Sequence, residues 1–409
     1  MSAHVGSGTG GLPLRGGEEE FADLLAPWLA RQDWVQAVLD VVDARRIRVR
    51  PVEVEIVRTG SPGLASVVVD AGPDFERRLH VPVGWRTTDD ATATLRRPAA
   101  VFGTGCLSSG EGEEEVLLYE ALADQELCRD LLSAASGGRV QAVRARVVAS
   151  LASHAALIYD ERLFMKCYRV IEPRPRPEIE VVVGLDRVGF NHLPAPVAHW
   201  SRGIGDLALV REFIPGAVEG KALALTSLRD LLARAGGGEH EPEFEQVGVA
   251  GGDLGDEMRR LGATTAELHL ALAEAFGTRP APDGSGVTEI RIHGDYHLRR
   301  VMRVDAGWLI AGFGDDPLIG PHAGAGSQGE GRMAAAVEDV EALFVSLRQV
   351  AEEATAVQSP ATLRNARVLA SGWVKHNGRA FLRGYLGARG IGRLVPGEME
   401  EIEARLAGG

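Results

Sequence analysis

Lysine and cysteine are both scarce in this chain. Of 409 residues only Lys166, Lys221 and Lys375 are lysines, and only Cys106, Cys128 and Cys167 are cysteines. Three cysteines without paired spacing argue against a disulfide framework or a zinc site, and a reducing cytoplasm is the expected compartment. Long apolar runs are missing too. Stretches such as Val181 to Leu185 fall far short of the roughly 20 residues a membrane helix needs. No charged start followed by an apolar core opens the chain, so no signal peptide is expected. A positive excess is also lacking. The net charge is −13, and neutralising phosphates needs a basic surface, so no nucleic-acid partner is expected.

What is present is ordinary globular material: 45% apolar and 25% charged residues, in a chain long enough for two or three domains. The basic residues are almost all arginine. Against that background, a lysine kept in an apolar strand points to a need for a compact ammonium rather than a planar guanidinium.

Residues 1–17 are Gly- and Ser-rich and read as a flexible start. Phe21 to Val42 has helical periodicity, with Leu24, Leu25, Trp28, Leu29 and Trp34 near one face; the two tryptophans read as core. The alternating stretches 52–57, 65–69 and 79–83 read as antiparallel strands. Val116 to Ala135 reads as one helix, with Glu113 to Glu115 as its solvated start near the positive end of the dipole. Two strands, 155–159 and 163–168, flank the turn at Asp160 to Arg162. Pro177 opens a helix. Leu207 to Phe213 is a further strand, and Pro215-Gly216 marks a break. Beyond it the stronger helices are 223–235, 263–276, 338–351 and 369–386, with loops at 236–238 and 280–286 and a further one at 323–331. The expected domains are therefore a start to residue 17, a cap over 18–105, an intermediate part over 106–214, and a mainly helical part over 215–409.

The sharpest chemical signal is His293-Gly294-Asp295-Tyr296-His297, followed by a short apolar strand pair that runs into Gly312-Phe313-Gly314. This is the catalytic-loop arrangement of kinase-fold phosphotransferases, in which the aspartate accepts the proton of the attacking hydroxyl. Lys166 on a strand and Glu180 on the following helix match a phosphate-gripping lysine held by a helix glutamate. Leu209 to Phe213, with Glu212, would be the hinge whose backbone meets adenine. Read individually, His293 braces its loop and His269 is a satisfied, partly buried histidine.

Here the sequence resembles the actinobacterial maltokinases and the related glucosamine kinases, which share the fold of aminoglycoside phosphotransferases. The resemblance runs from about Leu24 to Tyr385. It is carried by Trp28-Leu29-Ala30-Arg31-Gln32-Asp33-Trp34, by Tyr119 to Asp124 as a helix, and by Phe164 to Arg169 with Pro177 to Glu180. Thr265 to His269 and Phe381 to Tyr385 add to it, and His-Gly-Asp-Tyr-His is the most specific match. It implies a bilobal, protein-kinase-like α/β (α+β) fold with an N-terminal cap, Asp295 as base, His297 beside it, and Lys166 with Glu180 on the nucleotide.

The chain departs from that family at three points. Where the family has a Gln or Asn magnesium ligand, three residues past the second His, Arg300 stands beside Arg299. Where it has the main magnesium ligand, an Asp before Phe, Gly312 stands. Where its phosphate loop reads Ser-Asn-Thr-Ser, this chain has Ser153-His154-Ala155-Ala156. A fixed cation repels Mg²⁺, so no metal site is expected unless a tight turn lets Asp315 or Asp316 replace the missing carboxylate. Three functions compete. One is an ATP- and Mg-dependent kinase acting on a sugar, aminosugar or cyclitol hydroxyl. The second is a pseudokinase that binds or scaffolds, with a protein partner. The third is an enzyme repurposed for another reaction, with Asp295 and His297 as acid/base groups and Arg299 and Arg300 holding an anion. A catalytically degenerate kinase fold, combining the last two, is the preferred reading. Arg300, Arg299, Lys166, Ser153 and His154 would then receive a sugar-like or anionic small molecule.

Overall fold

The computed structural model describes residues 12, 14–39, 47–73, 75, 77–95, 97–109, 112–172, 176–235, 254–282, 284, 286–313, 332–359, 361–395, 397, 399 and 401–402. The chain divides into two compact units. The first holds residues 1–179 and 196–215, the second residues 180–195 and 216–409.

The first unit runs α1 (Gly17–Ala30), α2 (Asp33–Leu39), β1 (Arg50–Arg58), β2 (Gly63–Asp70), β3 (Arg78–Thr87), α3 (Thr88–Thr94), β4 (Val101–Ser109), β5 (Gly112–Glu120) and α4 (Gln125–Ala135). It continues with β6 (Ala145–Ser150), β7 (His154–Tyr159), β8 (Leu163–Tyr168), β9 (Val170–Ile171), the start of α5 (Pro177–Arg187), β10 (Pro196–Arg202) and β11 (Gly205–Glu212). Two antiparallel sheets result, in the orders β1-β2-β3-β5-β4, with β9 on β3, and β10-β11-β8-β7-β6. Strand β2 explains its own apolar run. Ala65, Val67 and Val69 face the core under α1, with Phe21, Leu25, Trp28 and Leu29, while Leu64 and Val68 face the core around α4. A strand buried on both faces needs no polar alternation. Trp28 and Trp34 are core residues, as expected.

Three expectations change here. Val116 to Ala135 is not one helix. Val116 and Leu118 face one core and Tyr119 the other, the period of a strand, and β5 pairs with both β3 and β4. The helix begins only at its N-cap Asp124, whose carboxylate accepts from the Glu126 and Leu127 amides. Glu113 to Glu115 and Tyr119-Glu120 therefore lie on a strand, and Ala121 to Ala123 form a single 3-10 turn. The break expected at residue 105 falls inside β4, whose ladder with β5 runs on to Ser109. Within the expected flexible start, Leu12 and Leu14 are buried, and Leu14 bridges to Leu107; residues 1–11 and 13 lie outside the described residues.

The second unit holds the rest of α5, then β12 (Val218–Glu219), α6 (Gly220–Ala235), α7 (Gly255–Phe276), β13 (Thr278–Pro280), β14 (Thr288–Arg291), β15 (Val301–Val304), β16 (Gly307–Ile310), β17 (Met333–Ala335), α8 (Val337–Ala356) and α9 (Leu363–Leu386). Its strands form two small sheets, β12-β15-β16 and β13-β14-β17. Helices α7 and α9 cross in close contact because each offers glycine there. A Cβ on Gly262 would stand 2.0 Å from the Phe381 carbonyl, and one on Gly384 would stand 1.8 Å from that of Arg259. The His-Gly-Asp segment connects β14 to β15. Among the described residues no helix is long and apolar enough to cross a membrane.

Candidate functional site

In the second unit the β14–β15 connection is held by a residue that motif reading does not reveal. Asp339, in the first turn of α8 and 1% exposed, accepts the His293 amide at 2.8 Å through Oδ2 and the Gly294 amide at 2.9 Å through Oδ1. His269 on α7 completes this cluster, its Nε2 3.2 Å from Asp339 and its Nδ1 2.7 Å from the Tyr385 hydroxyl. Burial pushes the Asp339 carboxyl up, but the hydrogen bond and charge of His269 reverse this and leave it below its ordinary range. The signal in the sequence is a carboxylate on the apolar stripe of α8, between Val337, Val340 and Leu343. His269 is fully buried and satisfied.

His293 braces the loop, as expected. Its Nε2–H donates to the Ala311 carbonyl at 3.2 Å and its Nδ1 accepts the Asp295 amide at 3.3 Å. Both ring nitrogens are used in the neutral form, and burial, against the pull of Asp339, lowers its pKa to about 4.

Asp295 is paired within its own loop. Arg300 directs Nε, at 3.0 Å, and Nη2 onto its Oδ2, and His297 Nε2 lies 3.5 Å from its Oδ1. Burial would raise the carboxyl; hydrogen bonds from His297 and Arg300, together with the guanidinium charge, hold it far below the ordinary carboxylate range. Arg300 is buried and reaches Asp295 by passing over Gly312. An added Cβ at residue 312 would meet Arg300 Cδ at 2.5 Å and Nη1 at 2.8 Å, and Gly312 has φ +80. A guanidinium at 300 and the lack of a side chain at 312 are thus one arrangement. The place a side chain at 312 would take is filled by arginine. Two of the five N–H donors of Arg300 end on Asp295, and the residue is buried. Asp315 and Asp316, and the loop read at 323–331, lie outside the described residues.

Beside this loop is a cavity of about 530 Å³ lined by Asp295, His297, Arg299, Lys221, Ser346 and Gln349. The Ser346 hydroxyl accepts the Leu298 amide at 3.1 Å and donates to the Leu343 carbonyl at 2.7 Å, so it fixes the loop against α8. Lys221 is tied to Glu353.

In the first unit Lys166 lies on β8, 1% exposed, with Nζ 2.7 Å from Glu178 Oε1. The Tyr168 hydroxyl donates to Glu178 Oε2 at 3.2 Å. The expected partner Glu180 is corrected to Glu178. Two positions along a helix turn a side chain by about 200°, so only one of the two can face the lysine strand. Glu180, its side chain 53% exposed, instead accepts from Arg291 Nη1 at 2.6 Å. The hinge expectation changes too. Leu209 to Arg211 sit mid-sheet, with their backbone groups committed to β8 on one side and β10 on the other. Glu212 is the exposed last residue of β11, and the Phe213 amide donates to the Arg162 carbonyl. Ser153 ends the β6–β7 turn, with its hydroxyl 2.9 Å from Nδ1 of His154, which opens β7 and is buried.

Residues 28–124 match the maltokinase N-terminal cap domain. A solved glucosamine kinase, in complex with glucosamine, ADP and inorganic phosphate, is similar over 93% of this chain and 88% of its own, at 19% identity and a TM-score of 0.54. A second crystal form of glucosamine kinase covers the same shares at 18% identity and a TM-score of 0.53. The chain thus has the mixed α/β fold of that kinase and carries a maltokinase-like cap.

Proposed function

We propose that this chain is a maltokinase-like kinase fold that binds a sugar-like small molecule without magnesium-dependent phosphoryl transfer. The observation that carries this reading is the Arg300–Asp295 pair laid over Gly312. A general base must be within reach of its proton and basic enough to take it. Here the carboxylate is engaged by a guanidinium that does not deprotonate. The two positions where the resemblance calls for magnesium ligands hold that guanidinium and a bare backbone. The described residues therefore do not fit a magnesium ion, and no step is derived through one. In this reading a cap precedes a nucleotide lobe reaching to residue 214, residues 215–409 supply the ligand side, and the cavity beside Asp295 offers hydroxyl, amide and cationic groups suited to sugar hydroxyls or an attached anion.

A second reading, an ATP-dependent sugar or aminosugar kinase with a non-standard metal site, is favoured by the lysine–glutamate pair, which is intact as Lys166–Glu178. Thermal melts with glucosamine, maltose, ADP or ATP, with Mg²⁺ or EDTA, separate the two, because a ligand bound only to the native state raises the melting temperature. The expected result is stabilisation by sugar and no turnover with Mg·ATP. Steady phosphorylation of glucosamine or maltose, abolished in Asp295→Asn, would establish the second reading instead.

A further inference from the structure

Two arginines stack on the aromatic residues that flank Lys166. Phe164, Lys166 and Tyr168 are two apart on β8, so their side chains share one face of the sheet. The Arg211 guanidinium lies 4.6 Å from the centre of the Phe164 ring, and the Arg176 guanidinium lies 4.0 Å from that of Tyr168. Both stacks are built in. Arg211 is the cross-strand partner of Phe164 on β11 and is buried with it. Arg176, half-buried just before α5, donates its amide to Asp206 at 2.8 Å and its Nη2 to the Val170 carbonyl.

The rest of this face is taken up as well. Ile158 pairs with Phe164 from the β7 side, and Ala156 and Leu209 flank Lys166; all three are buried. Phe213, whose amide donates to the Arg162 carbonyl at 2.8 Å, packs on the cluster of Ala156, Ile158 and Phe164. The Lys166 ammonium itself ends on Glu178. A strand lysine held by a helix glutamate is the arrangement that grips nucleotide phosphates. The base of such a nucleotide needs a flat surface to stack on beside the lysine. On either side of Lys166 that surface is already covered by a planar guanidinium, the side chain best shaped to stack on a ring.

We propose that Arg211 and Arg176 close the lysine face of this sheet to nucleotides, each standing on its ring where a base would stack. Lys166 then serves as the internal counter-ion of Glu178. This extends the reading above from the metal to the nucleotide, and it concerns residues of the first unit alone.

The test uses the full chain and the fluorescent nucleotide mant-ADP, with EDTA and with Mg²⁺. The wild-type chain is expected to give no saturable signal that ADP displaces, up to about 1 mM. Arg211→Ala uncovers the Phe164 ring and should bind mant-ADP at least about tenfold more tightly than wild type, the effect of one base gaining an aromatic platform. Arg176→Ala, at the less buried stack, repeats the test on Tyr168 should the first variant fail to fold, with circular dichroism reporting the fold of each. Saturable mant-ADP binding by the wild-type chain, or no gain in either variant when folded, would overturn the proposal. Neither result touches the sugar reading, which stands or falls on the melts with glucosamine and maltose.

Discussion

Gly312→Ala tests directly whether residues 300 and 312 form one arrangement. Two costs are expected. With φ +80, any side chain places residue 312 in the left-handed region, at about 1–2 kcal/mol. The new Cβ would also meet Arg300 Cδ at 2.5 Å, a contact that demands movement. Cδ is mid-chain, and the guanidinium beyond it is anchored on Asp295, so the arginine can yield only by releasing the carboxylate. Overpacking of this kind costs about 1–3 kcal/mol. Arg300→Ala alone strips Asp295, whose side chain is 30% exposed, of its partner; about 1–3 kcal/mol is expected, less than for a fully buried pair. In the double variant the overpacking vanishes and the backbone cost stays. A double-mutant cycle should therefore show about 1–3 kcal/mol of coupling, with Gly312→Ala milder in the Arg300→Ala background. Urea-dependent amide exchange of α7 and α9 peptides reads the stability of the second unit without assuming that both units unfold together. Costs for Gly312→Ala equal within about 0.5 kcal/mol in the two backgrounds would refute the coupling.

Lys166→Met should destabilise the first unit by about 3 kcal/mol or more, because it leaves Glu178 buried and uncompensated. Glu180→Gln, which alters a 53% exposed carboxylate and keeps an amide oxygen for the buried Arg291 to donate to, should cost about 1 kcal/mol; denaturant unfolding giving the two substitutions equal effects would contradict the Glu178 assignment. Acid should destabilise the protein before its carboxylates titrate. Burial lowers both His80 and His293 from 6.5 to about 4, so below pH 6.5 the unfolded state binds more protons than the native one. Stability should be full above pH 6.5 and decline down to about pH 4, by on the order of 3 kcal/mol per histidine. A flat pH profile across that window, from unfolding measured by circular dichroism, would show that these histidines are not held neutral.

Much of this protein was legible from local pattern alone. Local apolar patterning marked β1, β2, β3, β7, β8 and β11 and the four long helices of the second unit, because such patterning is written in neighbouring residues. The His-Gly-Asp-Tyr-His run located its loop, and the scarcity of lysine pointed to Lys166. What tertiary structure decided depended on distant partners. Val116 to Ala135 is apolar enough for a helix, and only the ladders to β3 and β4 make its first part a strand. Glu178 and Glu180 are equal candidates in sequence, and the rotation of α5 against β8 chooses between them. Asp339 lies 46 residues from the amide it holds, so no motif spacing announces it. Arg300 and Gly312 are each visible as departures from a pattern. That one fills the room left by the other is a matter of volume in three dimensions, where a missing Cβ and a long side chain occupy the same space.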